Sequence, residues 1–115
     1  MTMGYVYLIE DINNNTFKIG VTKGDPIKRL KKLQTGNSTE LTIKYLFETD
    51  YPYRIESMLH NHYNSVNERD EWFNLNNPES FIDKCNEFAD IIECMKDNCF
   101  FMKNIITSLF IYFYY

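Results

Sequence analysis

Apolar and polar residues alternate with a two-residue period near the start of the chain, a pattern typical of β-strands. Residues 5–10 and 17–22 are runs rich in β-branched and aromatic side chains, and the turn-forming cluster Asn13-Asn14-Asn15 lies between them. Two such runs around an asparagine cluster predict an antiparallel hairpin. In the second strand, the alternation places Lys18 and Gly20 on the same face.

A helix is predicted to follow the hairpin. Asp25 suits its N-cap, Pro26 its first position and Gly36 its C-terminal cap. Its apolar residues are expected to point toward a core, which leaves the cations on the open faces. The apolar residues are Ile27, Leu30 and Leu33, and the cations are Lys28, Arg29, Lys31 and Lys32.

The remaining pattern predicts one more strand and two more helices. The strand covers residues 42–49, a second helix runs from Pro52 to about Tyr63, and a third is capped by Asn77 and Pro78. Residues 71–75 form a short extended piece or a turn. We therefore expect an α/β fold with a central three-stranded antiparallel sheet flanked by helices, to which a C-terminal helix and an apolar tail are added.

A chain of 115 residues is expected to form one domain with a tail. We assign residues 1–97 to the domain and residues 98–115 to the apolar tail. Residues 105–115 lack charge but are fewer than the ~20 apolar residues of a membrane helix. We expect the tail to pack against the core or a partner, and self-association through it stays open, as do a disordered and a membrane-associated tail. No membrane partner is expected overall. Without a signal-peptide pattern, an intracellular protein (cytoplasm or nucleus of a host) is expected rather than a secreted one.

The net charge of −4 argues against a protein that coats nucleic acid by bulk attraction. The charges are unevenly spread, because residues 18–32 contain six Lys or Arg and one Asp, whereas residues 66–97 contain nine acidic and three basic residues. A charge block is most often a solvated face, but here it coincides with the motifs described next. The three cysteines lack CxxC spacing and support neither a disulfide framework nor a zinc ribbon.

Five short motifs occur in order along the first two thirds of the chain. They are YVYLI at residues 5–9, KIGVT at 18–22, KRLKKLQTGN at 28–37, E…LH at 56–60 and EWF at 71–73. In this order and spacing they resemble the GIY-YIG nuclease family, and within it the compact phage T5-type or meiotically up-regulated branch. Each motif alone is weak, whereas the five together, within residues 4–75, are fairly specific.

The resemblance implies metal-dependent hydrolysis of phosphodiester bonds in DNA. Such a reaction needs a deprotonated water, relief of charge at the phosphate oxygens and help for the leaving oxygen. Transferred by motif position, the catalytic residues are Tyr7, Lys18, Arg29 and His60, and the ligand for Mg²⁺ or Mn²⁺ is Glu56. The DNA-binding residues are Lys28, Arg29, Lys31 and Lys32. The structural motif residues are Tyr5 and Gly20.

The resemblance also implies a role for each residue. Tyr7 would contact or deprotonate the attacking water, and a positive charge from Lys18 or a metal-bound water would favour its phenolate form. Arg29 matches an arginine whose planar guanidinium binds phosphate oxygens. A single carboxylate such as Glu56, with substrate oxygens and waters, is typical of a Mg²⁺ site, and His60 would orient it or shuttle a proton. The alternative for Tyr7 is a sheet tyrosine packed against the core. The alternative for Arg29 is one of several solvated cations on its helix.

Several positions depart from the family pattern or have more than one interpretation. Lys18 stands where the family usually begins its second motif with tyrosine, and Leu33 stands at about the place of a family histidine. Asn74 stands at about the place of an asparagine that some relatives have near the metal. Trp72 and Phe73 are expected to close the core, with base stacking by Trp72 as an alternative.

The function predicted from the sequence is a metal-dependent DNA endonuclease. The alternatives are a non-catalytic DNA-binding or regulatory module of the same fold, and an interaction protein that uses its apolar tail. Catalysis requires Tyr7, Arg29 and Glu56 to converge on one site. A packing role would instead leave Tyr7 in the core and the other two residues on opposite surfaces.

Overall fold

Five strands form one antiparallel sheet in the computed structural model, which describes residues 3–96. The strands are β1 (Gly4–Asp11), β2 (Thr16–Thr22), β3 (Leu41–Thr49), β4 (Asn67–Arg69) and β5 (Trp72–Phe73), in the order β3-β1-β2-β5-β4. The helices are α1 (Pro26–Thr35), α2 (Pro52–His62) and α3 (Phe81–Lys96), with 3₁₀ turns at Asn64–Val66 and Pro78–Ser80. The apolar tail assigned to residues 98–115, and any self-association through it, lie outside the described residues.

The α/β class is confirmed, but the sheet is larger than the three strands predicted. The predicted strands are β1, β2 and β3. The two additional strands contain only three and two residues, too few to show the two-residue period from which strands are predicted. β5 forms because Phe73 pairs with Phe17 and Trp72 pairs with Lys18, a long-range pairing that no local pattern encodes.

Strand alternation divides the core between the two faces of the sheet. On one face, α2 and α3 cover the larger apolar cluster, which includes Val6, Leu8, Phe17, Ile19, Ile55, Leu59, Phe73, Phe81, Cys85 and Ile92. The smaller apolar cluster lies on the other face and contains Tyr7, Ile9 and Leu41, with Leu30, Leu33, Ile43 and Trp72 packed against it. Because Leu30 and Leu33 belong to α1, this helix lies over the face of the sheet that presents Tyr7.

The ends of α1 are capped as predicted, but one of its apolar residues is not buried. Asp25 accepts a hydrogen bond from the Ile27 backbone N–H at 2.9 Å, and the Gly36 N–H donates to the Leu33 carbonyl at 3.2 Å. Ile27 was expected to face the core and is instead 52% exposed. It belongs to the first turn of the helix, and only the later turns, with Leu30 and Leu33, reach the sheet.

The buried carboxylate of Asp11 ties the β1–β2 turn to the loop before β3. Its oxygens accept hydrogen bonds from the Asn14 side-chain amide at 2.8 Å, the Asn14 backbone N–H at 3.3 Å and the Thr39 hydroxyl at 2.9 Å. Burial alone would raise the pKa of Asp11, but the hydrogen bonds to its charged form outweigh burial, so the pKa lies below its ordinary value of 3.8.

Asp11→Asn should lower the free energy of unfolding by about 1–3 kcal/mol at neutral pH, because its new amide would face the donors of Asn14 and Thr39. The folded-state pKa is depressed, so the stabilisation by the carboxylate is fully present above about pH 4 and is lost as the pH falls through that pKa. Urea unfolding should therefore show the difference from wild type shrinking toward acid pH. Asp90→Asn, at an exposed position on α3, is the control. A difference that did not depend on pH would contradict this role.

Candidate functional site

The ring of Tyr7 lies against Gly20 on the α1 side of the sheet. The two residues are cross-strand partners in β1 and β2, and Tyr7 is only 2% exposed. A Cβ atom added to Gly20 would lie 2.4 Å from the Tyr7 hydroxyl oxygen and 2.5 Å from its Cζ, closer than packed atoms approach. The absence of a side chain at Gly20 therefore provides the space in which the phenol lies.

Arg29 reaches the Tyr7 hydroxyl from α1. Its Nε–H donates a long hydrogen bond of 3.5 Å to the phenol oxygen, and the residue is half-buried. This hydrogen bond raises the pKa of Arg29 above its usual value, and the carboxylate of Glu71 adds to the effect. The guanidinium thus places a positively charged donor next to the phenol oxygen.

Lys18 is two residues before Gly20 on the same face of β2 and forms an ion pair with Glu71. Its ammonium nitrogen lies 2.5 Å from Oε2 of Glu71 and 5.6 Å from the centre of the Trp72 ring. The Lys18 side chain is 11% exposed. Sequence reasoning did not select Glu71 as a site residue. The signal available was its place in the EWF motif, but only the pairing of β5 with β2 brings it to Lys18.

The backbone of Ile19 links α2 and the Glu71 turn to the edge of β2. β5 pairs only with the two residues before Ile19. The Ile19 N–H donates to the Glu71 carbonyl at 3.1 Å, and the Ile19 carbonyl accepts a hydrogen bond from His60 Nε2 at 2.9 Å. Because a carbonyl can only accept, Nε2 of His60 bears a proton and donates it to this hydrogen bond. An edge contact with Phe73, 5.0 Å between ring centres, also fixes the imidazole.

Glu56 lies one turn before His60 on α2, so both side chains are on the same side of the helix. Partial burial raises the pKa of Glu56 above its ordinary value of 4.5. The charges of His60 and Lys18 lower this pKa, and that of Glu71 raises it. These effects indicate that the Glu56 carboxylate shares one electrostatic neighbourhood with Lys18, His60 and Glu71.

Glu71 also connects the two halves of the site. Its charge acts on Arg29, which comes from α1, and on Glu56, which comes from α2. Arg29 comes from the helix over the Tyr7 face of the sheet, and Glu56 comes from α2 on the opposite face. Tyr7 is buried, as a packing role would require, and its hydroxyl nevertheless contacts Arg29.

Glu56 is suited to hold a divalent cation together with waters and phosphate oxygens rather than within a protein cage. Among residues 3–96, no group of three or more His, Cys, Asp or Glu side chains is arranged to bind a metal ion. One partly exposed carboxylate fits Mg²⁺, because this ion retains several of its waters in proteins. The Glu56 carboxylate therefore fits Mg²⁺ or Mn²⁺ and does not fit a structural zinc site, which needs four protein ligands.

A profile of the T5orf172 domain matches residues 4–97. The chain belongs to the T5orf172 domain family. This match supports the resemblance of the five motifs to a phage T5-type domain. Comparisons with curated proteins and with solved structures gave no significant match.

The remaining residues selected from the sequence lie on α1, on β1 and in the segment after β5. Lys28, Lys31 and Lys32 are exposed along α1. Tyr5 is half-buried on β1, where it pairs with Thr22 of β2. Asn74 is exposed just beyond β5.

None of the helices within residues 3–96 is long and apolar enough to cross a membrane.

Proposed function

We propose that this T5orf172 domain is a metal-dependent DNA endonuclease of the GIY-YIG type, acting inside a cell. The main support is the contact between Arg29 Nε and the Tyr7 hydroxyl, 3.5 Å. The charges of Lys18 and His60 act on Glu56. A phenol, two cations, a carboxylate and an imidazole are the groups that hydrolysis of a phosphodiester requires.

The proposed role of Tyr7 is to contact the attacking water and to accept its proton. A phenol does this only when negative charge on its oxygen is stabilised, and the Nε–H of Arg29 donates to that oxygen. Contact with Arg29 and burial against Gly20 leave the hydroxyl little freedom to rotate. A fixed acceptor lowers the cost of aligning the water with the phosphorus atom.

Lys18 and Arg29 are proposed to bind the phosphate oxygens, on which negative charge increases in the transition state. Arg29 offers a planar set of donors, whereas Lys18 acts as a point charge. The P–O bond to the leaving oxygen breaks as the water oxygen bonds to phosphorus, and the leaving oxygen takes a proton from solvent water. In its neutral form His60 would present Nδ1 as an acceptor, because Nε2–H is held by the Ile19 carbonyl.

Glu56 is proposed to hold Mg²⁺ or Mn²⁺. When bound, such a cation would offset charge on the phosphate and leaving oxygens. The carboxylate is partly buried, and this burial raises its pKa because water solvates the charged form poorly. A cation beside Glu56 would stabilise that charged form.

Exposed cations of α1 are proposed to bind the flanking DNA backbone. Lys31→Ala or Lys32→Ala should each reduce the slope of log affinity against log salt by about 1, because each contact with phosphate releases about one counterion. Salt titrations of DNA affinity measure this slope. Lys84→Ala removes a lysine from α3, on the other side of the sheet, where it pairs with Glu87, and should leave the slope unchanged. Affinity that did not respond to salt would remove DNA from the proposal.

A non-catalytic DNA-binding module is the second candidate, and two observations favour it. Tyr7 is 2% exposed, and the ammonium of Lys18 is already paired with Glu71. In such a module Arg29 and the α1 lysines would bind phosphate, whereas Tyr7 and Glu56 would be dispensable.

Incubation of the purified chain with supercoiled plasmid distinguishes the two candidates. An endonuclease should convert the plasmid to nicked and linear forms with Mg²⁺ or Mn²⁺ and should stop in EDTA. Binding to the plasmid without conversion under any of these conditions would contradict catalysis and favour the binding module.

A further inference from the structure

A polar cavity of about 520 Å³ lies beside the proposed catalytic site. The β1–β2 turn, the loop after α1 and the strands β4 and β5 form its walls, which include Asp11, Asn14, Asn37, Glu68, Arg69 and Trp72. This volume is within the range of roughly 300–1,000 Å³ of cavities that bind small organic groups. None of the catalytic roles proposed above uses the cavity.

Trp72 connects this cavity with the site. Trp72 lines the cavity, and the ammonium of Lys18 lies 5.6 Å from the centre of its ring. The two residues are also paired across β5 and β2. A nucleotide whose phosphate was held by Lys18 would therefore have its neighbouring sugar and base close to the mouth of the cavity.

The chemistry of the walls favours an uncharged ring over a second phosphate. The carboxylates of Asp11 and Glu68 would repel a phosphate, whereas among the residues that line the cavity only Arg69 would attract it. The side-chain amides of Asn14 and Asn37 already donate to Asp11 and to the Leu33 carbonyl. Their amide oxygens make no hydrogen bond within residues 3–96, so they can accept from the ring N–H and amino groups of a base.

We propose that this cavity binds one unstacked nucleobase of the DNA, next to the phosphate held by Lys18 and Arg29, with Trp72 as its stacking partner. Indole stacks on any base because every base has a π-face. The amide oxygens of Asn14 and Asn37 accept hydrogen bonds from the base edge. The inference rests on the proposed function for the presence of DNA, but it requires binding and not cleavage.

Trp72 is the single tryptophan of the chain, so its fluorescence reports directly on the occupancy of the cavity. A short single-stranded oligonucleotide, added in EDTA, should quench and shift the Trp72 emission, and fluorescence anisotropy of a label on the DNA should give the affinity independently. An oligonucleotide of the same length and charge but with abasic sites should bind about tenfold more weakly and leave the emission unchanged.

Two variants separate base binding from effects on the fold. Asn37→Ala should reduce the preference for the base-containing over the abasic oligonucleotide, and Asn61→Ala, at an exposed position on α2, should not. Trp72→Phe keeps an aromatic ring in the small apolar cluster and should retain part of the preference. Circular dichroism checks that each variant is folded.

The outcomes distinguish this inference from the proposed function. DNA binding with unchanged Trp72 emission, or equal quenching by abasic DNA, overturns the base site and leaves the endonuclease proposal standing. Base-dependent quenching by a protein that does not cleave plasmid supports the base site and overturns the endonuclease. A chain that binds neither oligonucleotide overturns the base site, and one that also fails to nick plasmid overturns both.

Discussion

Tyr7→Phe should reduce DNA cleavage about a hundred- to a thousandfold while the variant still binds DNA. The substitution removes only the hydroxyl, whose side-chain contact within residues 3–96 is with Arg29 Nε at 3.5 Å. The ring remains against Gly20 in the small apolar cluster, so the free energy of unfolding should change by less than about 1 kcal/mol. Plasmid nicking in Mg²⁺ and DNA affinity in EDTA give the two quantities separately.

Tyr63→Phe is the matched control for this substitution. The Tyr63 hydroxyl is also buried but has no hydrogen-bond partner among residues 3–96, and its ring packs against the larger apolar cluster on the other face of the sheet. Removing that hydroxyl should leave cleavage unchanged and should not lower stability. Cleavage at the wild-type rate by Tyr7→Phe would exclude the phenol from the chemistry. A similar loss in both variants would point to packing instead.

Glu56→Ala should abolish detectable cleavage, a loss of at least about a thousandfold, or about 4 kcal/mol of transition-state stabilisation. Glu56 is the carboxylate on the α2 side of the site, and a divalent cation would have no comparable ligand there. The fold should be retained, because the substitution removes a partly buried carboxylate whose burial raises its pKa. Thermal unfolding and plasmid nicking across a range of Mg²⁺ concentrations check the two expectations.

Glu48→Ala is the control for Glu56→Ala. Glu48 is exposed on β3, at the edge of the sheet farther from β2, and its loss should change neither cleavage nor its dependence on Mg²⁺. If Glu56→Ala cleaved plasmid at the wild-type rate, the metal site would have to be elsewhere. If it cleaved slowly with an unchanged Mg²⁺ requirement, Glu56 would act on the chemistry without holding the cation.

Local signals in the sequence predicted the parts of the fold that local physics determines. The β1–β2 hairpin follows from alternation around the asparagine cluster, and α1 follows from a capping Asp25 and a terminating Gly36. Ile27 was misplaced because helical periodicity gives the direction of a side chain but not how far along the helix the sheet extends. Its position in the first turn leaves it exposed.

Long-range pairing determined what the sequence could not predict. Two residues of β5 join Phe17 and Lys18, and this pairing brings Glu71 to Lys18 and Trp72 to the edge of the cavity. A strand of two residues is too short to show a periodic pattern, so neither contact could be predicted from the sequence. Motif order alone selected Tyr7, Arg29 and Glu56, but it did not predict that Glu71 would connect α1 and α2 electrostatically.

Glu71 illustrates how the pairing changes the chemistry inferred for Lys18. From the sequence, Lys18 was expected to meet a phosphate or a phenol with its full charge. Its ion pair with Glu71 lowers the net positive charge at the site before DNA binds. A phosphate would therefore have to share Lys18 with Glu71 or displace Glu71 from it. The described contact of Arg29 is to the neutral Tyr7 hydroxyl, so we expect Arg29 to have the larger role in binding the phosphate.

The most direct measurement of the central claim compares Arg29→Lys with wild type for cleavage and binding of the same plasmid. Lysine keeps the positive charge but lacks the Nε–H that contacts the Tyr7 hydroxyl and the planar donors that bind phosphate. We predict that cleavage falls about a hundredfold while DNA affinity changes by less than about threefold. Arg54→Lys, an exposed arginine on α2, should change neither. Unchanged cleavage by Arg29→Lys, or a loss of cleavage fully matched by a loss of affinity, would contradict a catalytic site built on the contact between Arg29 and Tyr7.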